Sequence, residues 1–165
     1  MTGMEKQLYN FEFEVYDSVD DLTQEDAWLL KEAREVTNLA YAPYSNFQVG
    51  AVAKLSNGEI VAGSNQENAS FPVGLCAERV LLGSASSLYP NISVEVMAIS
   101  YVNHNGSSSH PISPCGMCRQ ALLEYEDRTG STMRLILGGT EGKVYVIPKA
   151  SMLLPLSFTS TDLKQ

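Results

Sequence analysis

Three cysteines are all that this 165-residue chain contains, and their positions constrain it more than any other feature. Cys76 stands two residues before Glu78, and the run Pro114-Cys115-Gly116-Met117-Cys118 holds the other two. A fold that uses them together has to bring two distant segments to one point. Catalytic zinc takes three protein ligands and leaves its fourth tetrahedral position to water, so three cysteines make an open site where four would have closed it. Such a metal lowers the pKa of bound water towards neutrality. A carboxylate of raised pKa can then take the water proton and return it to the departing group, and Glu78 is the candidate. The set points to zinc-assisted hydrolysis, with one zinc per chain.

Local patterning agrees. Cys115 and Cys118 are three residues apart at the start of Cys118-Arg119-Gln120-Ala121-Leu122-Leu123, so they share one face of a helix's first turn, with Pro114 just before it. Cys76 opens the run Ala77-Glu78-Arg79-Val80-Leu81-Leu82. All three thiols then lie at two helix N-termini, where the macrodipole favours thiolates. In mid-helix, Cys76 and Glu78 would point apart, so the metal is expected off the helix end. Two plainer readings compete: a Cys-x-x-Cys pair can be a redox dithiol or half of a structural zinc knot. A knot needs a fourth ligand, and the chain offers only His104 and His110, both in the polar loop Asn103–His110. His110, closer to Cys115, is the alternative fourth ligand.

With these motifs the chain resembles the cytidine deaminases that act on free nucleosides. The likeness runs from Ala42-Pro43-Tyr44-Ser45-Asn46-Phe47 through Asn65-Gln66-Glu67-Asn68-Ala69, Cys76-Ala77-Glu78-Arg79 and Ile112-Ser113-Pro114-Cys115-Gly116-Met117-Cys118-Arg119-Gln120 to Leu153-Leu154-Pro155-Leu156-Ser157-Phe158. It covers about Leu22 to Leu163. The resemblance implies that Asn65 and Glu67 hydrogen-bond the ribose hydroxyl, that Phe47 packs near sugar and base, and that the backbone at Ala77 contacts the pyrimidine. It also implies that Arg79 offsets thiolate charge beside the metal, and that Ala69, Phe71 and Phe158 reach a neighbouring subunit's site in a homotetramer or dimer. Taken singly, Phe47 and Phe158 could be packing residues, Asn65-Gln66-Glu67-Asn68 a polar turn and Arg79 an exposed helical side chain. Their order around the cysteines favours the functional assignment. Phe71 is a departure, because many members carry Tyr there, whose hydroxyl could reach a sugar oxygen.

Length and a 44% hydrophobic content suit one three-layer domain. An odd cysteine count, all assigned to metal, argues against a disulfide framework and for a reducing compartment. The N-terminus lacks a basic segment followed by an apolar core, and no run is long enough to span a bilayer, so a cytoplasmic location and no membrane partner are expected. The first 26 residues hold eight acidic residues against Lys6, which accounts for seven of the eight net negative charges. No lysine or arginine cluster offers the basic footprint of a nucleic-acid enzyme, so a small-molecule substrate is favoured.

Periodicity fills in the α/β fold. Thr23 with Asp26 resembles a capping pair for a helix whose apolar face is Ala27, Leu30, Ala33, Val36, Leu39 and Ala40. Strands over 47–55 and 60–64 flank the hairpin turn Asn57-Gly58; a Cys76 helix, a strand over 94–102 and a Cys115 helix follow. The last strands, 134–137 and 144–147, are joined too closely for a parallel crossover, so they should be antiparallel. That resembles the free-nucleoside branch, whereas the tRNA-adenosine branch is expected to run them parallel around a helix. The resemblance implies a mixed five-stranded sheet with helices on both faces. Residues 1–21 read as an acidic arm, in which Phe11, Phe13 and Val15 alternate with polar residues: an edge strand, a clasp on a neighbour or a tail. Residues 22–165 read as one catalytic domain, with residues 103–110 as a mobile loop.

The resulting expectation is zinc-dependent hydrolysis of cytidine and deoxycytidine to the uridine and ammonia. One rival is the same chemistry on another amino heterocycle such as blasticidin S or a modified nucleoside; the run Arg79-Val80-Leu81-Leu82-Gly83-Ser84-Ala85 leans that way, while Asn65 and Glu67 argue against it. The other is a non-catalytic, zinc-stabilised binding protein, in which Glu78 is surface charge.

Overall fold

The computed structural model describes residues 3–163; the extreme ends of the expected arm and domain, residues 1–2 and 164–165, lie outside the described residues. In chain order the main elements are β1 (Glu14–Tyr16), α1 (Gln24–Val36), β2 (Phe47–Leu55), β3 (Ile60–Ser64), α2 (Ala77–Leu88), β4 (Val94–Asn103), α3 (Gly116–Thr129), β5 (Arg134–Gly138) and β6 (Val144–Ile147). They build one mixed sheet of order β1-β6-β5-β4-β2-β3. Among the described strands of this sheet β4 and β5 alone pair in parallel, since α3 between them supplies the long crossover that parallel strands need. β5 and β6 are antiparallel, with Leu135 opposite Ile147, as their short connection requires.

The expected five-stranded sheet is corrected to six. Within the acidic arm, Glu14–Tyr16 pairs antiparallel with β6, and the Phe13 ring lies 5.0 Å from that of Tyr145. The arm supplies hydrogen-bonding partners for an edge that β6 would otherwise leave open.

Helices cover both faces. Alternation along β2 sends Ala51, Ala53 and Leu55 towards α2 and α3, where Leu81 and Leu122 are fully buried, and sends Val52 towards α1, where Leu29, Leu30 and Ala33 are fully buried. Each such leucine contributes about 2 kcal/mol by leaving water. The α1 face is displaced from the expected one: Leu39 is 70% exposed, because the helix ends at Val36 and a 3-10 turn carries Leu39 outward. Thr23 does cap α1, its hydroxyl accepting from the Asp26 amide at 3.2 Å. The Asp26 carboxylate turns away from the cap and accepts from both ends of the Arg134 guanidinium, at 2.8 and 2.6 Å.

Two close approaches set the site's frame. A Cβ on Gly63 of β3 would fall 2.6 Å from the Ala77 carbonyl oxygen and the Leu81 amide, so only glycine lets the first turn of α2 lie on the sheet. A Cβ on Gly139 would fall 1.8 Å from the Ser108 carbonyl oxygen. That contact belongs to the 103–110 loop, which is stitched down where mobility was expected: the Asn103 amide donates to the Ser108 hydroxyl, the Thr140 amide to the Ser108 carbonyl, and the Asn105 side chain to the Ser45 carbonyl.

Candidate active site

The three cysteines converge at the ends of two helices. Cys76 is the N-cap of α2 and Cys115 the N-cap of α3, both in extended backbone, while Cys118 lies one turn into α3. Their sulfurs lie within 4.8 Å of one another, with Cys76 to Cys115 at 3.9 Å and Cys115 to Cys118 at 3.6 Å. Zinc–sulfur bonds of about 2.3 Å in a tetrahedron give sulfur–sulfur edges of about 3.8 Å, so the donor set fits zinc. Proton sharing argues the same way. The Cys118 thiol draws Cys76 down to about 6, and its bond to Cys76 and its burial push its own value up. Cys76 and Cys118 thus compete for one proton, and a nearby cation would favour the loss of both.

No histidine joins this cluster among the described residues. His110 faces the Tyr101 hydroxyl, 3.3 Å from its Nδ1, and His104 faces the Gln48 side chain at 2.8 Å. A zinc ion held by the three sulfurs alone would keep its fourth position for water.

Glu78, the second residue of α2, is 5% exposed. Burial pushes its carboxyl above the ordinary range, against the opposing pull of its own amide, the Cys118 thiol and the Arg79 charge. A surface charge would not be buried in this way. Arg79, next along α2, is the weakest of the influences on Cys76 and lowers it. Ala77, between them, is fully buried.

A cleft of about 680 Å³ opens on this cluster and reaches Phe47, Asn65, Glu67 and Phe71. The Asn65 amide group bridges two backbone groups of β2, accepting from Val49 N at 2.7 Å and donating to the Phe47 carbonyl at 2.9 Å. That uses half of its capacity and leaves one N–H and one lone pair. In Glu67, partial burial opposes ionisation, but bonds from the Ser45 hydroxyl and the amides of Tyr44 and Ser45 outweigh it and hold the carboxyl below the usual range. Those amides bond to one carboxylate oxygen, Oε2. Ala69 is exposed on the same segment. Phe71 is 75% exposed, with the Tyr44 ring edge-on to it, and Phe158 is 59% exposed; neither belongs to a core cluster.

Three residues that bear on the site were not singled out by pattern. Tyr101, on β4, is 1% exposed and stacks on Phe47 at 5.0 Å, backing the aromatic wall of the cleft. Arg119 Nε donates to the Pro114 carbonyl at 2.8 Å, bracing the loop that carries Cys115. Gln120 donates to the Phe158 carbonyl. Tyr101 was legible only through the pairing of β2 with β4; Arg119 and Gln120 directly follow Cys118, the one signal they offered.

Residues 23–132 match the family model described as cytidine and deoxycytidylate deaminase zinc-binding region. A cytidine deaminase of Halalkalibacterium halodurans is 38% identical over 135 residues, 82% of this chain and 95% of that protein. A blasticidin-S deaminase of Bacillus cereus is 30% identical over 107 residues, 64% of this chain and 76% of that protein. The crystal structure of cytidine deaminase from Burkholderia pseudomallei superposes with a TM-score of 0.70 at 36% identity, covering 83% of this chain and all of that one. With three thiols on two helix ends, a buried carboxyl beside them and this span of likeness, the chain belongs to the cytidine and deoxycytidylate deaminase family, whose defining region binds zinc.

Proposed function

We propose that this protein hydrolyses cytidine and deoxycytidine to uridine and deoxyuridine, releasing ammonia. The carrying observation is the pairing of three converging cysteine sulfurs with a buried carboxyl at one cleft. Cys76, Cys115 and Cys118 would hold zinc, which when bound would supply Lewis acidity for activating water. Glu78 takes a proton from the attacking water as its oxygen bonds to carbon 4, which becomes tetrahedral, and passes that proton to ring nitrogen 3. It then takes the proton of the new carbon 4 hydroxyl and gives it to the amine, which leaves as ammonia as the carbon–nitrogen bond breaks and the carbonyl forms. Burial raises its pKa, which suits it both to take a proton and to give one back. Phe47, backed by Tyr101, offers the ring an apolar wall. The spare capacity of Asn65 and the Oε1 of Glu67, which accepts neither backbone amide, offer partners for sugar hydroxyls, with the Ala77 backbone beside the base.

We read Phe71, Ala69 and Phe158 as facing a neighbouring subunit in a homotetramer. Phe71 and Met117 left exposed at the cleft, and Leu156 and Phe158 left exposed on the segment after β6, support burial in an assembly. A reducing, cytoplasmic setting suits a site that depends on three thiols. We further read residues 1–21 as an arm and residues 22–165 as the catalytic unit.

The test is a substrate panel followed by ultraviolet absorbance. Cytidine should turn over while free cytosine, which lacks the sugar, does so poorly. Glu67→Ala should cost roughly tenfold or more in kcat/KM for cytidine, the scale of a lost hydrogen bond to a charged group. Equal efficiency on cytosine and cytidine would remove the sugar-reading role. The likeness to a blasticidin-S deaminase supports a second reading, which blasticidin turnover without cytidine turnover would promote.

A further inference from the structure

The segment after β6 is held by a run of side-chain hydrogen bonds. Four consecutive residues are each anchored: the buried Glu126 carboxylate accepts from the amides of Ala150 at 3.2 Å and Ser151 at 3.1 Å, the Tyr9 hydroxyl of the N-terminal arm donates to the Met152 carbonyl at 2.9 Å, and Arg119 Nη1 donates to the Leu153 carbonyl at 2.9 Å. Beyond them, Gln120 Nε2 donates to the Phe158 carbonyl at 2.9 Å. Residues 154–157 therefore form an arch over α3, pinned at its two feet by neighbouring residues of that helix.

At its crest Leu156 has φ +54° and is fully exposed. A leucine without contacts has no local reason to adopt a left-handed backbone, and such a conformation persists where its surroundings impose it. Pro155 fixes the preceding φ and the pinned feet fix the rest. What the arch offers outward is apolar, Leu156 and Phe158; the cleft rim offers exposed Phe71 and Met117.

We propose that Arg119 and Gln120 are positioning residues: they hold 153–158 as a fixed arch, so that the helix bearing Cys118 also sets where Leu156 and Phe158 meet the cleft of a second copy of this chain. The proposal rests on the reading above that Phe158 reaches a neighbouring subunit. Arg119 is suited to the task because one guanidinium spans the Pro114 carbonyl, next to Cys115, and the Leu153 carbonyl, at the foot of the arch. The same side chain thus fixes the metal loop and the segment presented outward.

The test compares the zinc-loaded full chain with Arg119→Gln and Gln120→Ala. Zinc content, chymotryptic nicking after Leu156 and Phe158, and KM and kcat for cytidine are measured on each. Gln120→Ala should keep its zinc and its kcat, nick roughly two- to tenfold faster and show KM raised by a similar factor, the range for one lost neutral hydrogen bond. Arg119→Gln should nick roughly tenfold faster or more, because its bond carries charge. Unchanged nicking in both variants would overturn the proposal. So would a Gln120→Ala protein that nicks faster with unaltered KM, since the arch would then serve no neighbouring cleft. Absence of cytidine turnover in the unmodified protein would instead overturn the functional reading, while the nicking comparison would still decide whether these two side chains hold the arch.

Discussion

Replacing Glu78 by Gln separates proton transfer from everything else at this site. The side chain is 5% exposed in the first turn of α2, a turn seated on the sheet through Gly63, and Gln has nearly the same volume, so neither packing nor the thiol cluster should move. A lost general acid-base costs roughly 10²- to 10⁴-fold, which at about 1.36 kcal/mol per factor of ten is about 3 to 5 kcal/mol of barrier. Stability should move the other way. Burial raises the Glu78 pKa, so the fold disfavours its carboxylate; the group's contribution is full below its ordinary value of 4.5 and is lost as pH rises through the raised value. Gln has no charge to lose. After chelation, Glu78→Gln should therefore melt no lower than the unmodified protein at pH 7, with the difference closing below pH 4.5. Zinc content, melting temperature and deamination rate are read on one preparation. A zinc-replete Glu78→Gln protein that deaminates at near-normal rate would refute the assignment of proton transfer to this residue.

Cys115→Ala should bind less than one zinc per chain and lose activity by elemental analysis and assay; full retention of metal would show that Cys115 is not a ligand. Gly63→Ala drives a Cβ into the α2 backbone at 2.6 Å, and should lower stability by about 1 to 3 kcal/mol in denaturant titration while also slowing turnover, since the helix that shifts carries Cys76 and Glu78. Asp26→Ala leaves the half-buried Arg134 without its bidentate partner and should cost about 3 kcal/mol in the same titration, with little effect on KM because the pair lies on the α1 face.

The sequence carried the site better than the periphery. Cys76, Glu78, Cys115 and Cys118 are informative as residue types, since few roles other than a metal site use three thiols and a carboxyl in that spacing, and their helices were marked by local apolar runs. Strand limits were legible where Asn57-Gly58 or a short connection punctuated them. Leu39 was misplaced because a heptad-like stripe continues past Val36, while the backbone tightens into a 3-10 turn there. The sixth strand was not decidable, because alternation in Phe11, Phe13 and Val15 suits any partner and only the open edge of β6 selects it. Tyr101 and the Arg119 bridge depend on contacts between residues remote in sequence, which no window of local pattern contains.

The three paired residues of β1 carry a consequence for handling the protein. Val144-Tyr145-Val146-Ile147 is a short, uncharged, β-prone run, and with β1 removed its amides and carbonyls would face solvent as a template for any passing strand. Preparations trimmed before Asp17 should therefore keep a working catalytic centre yet clump at concentrations the full chain tolerates. Tags and truncations on the amino-terminal side are better judged by light scattering than by activity alone.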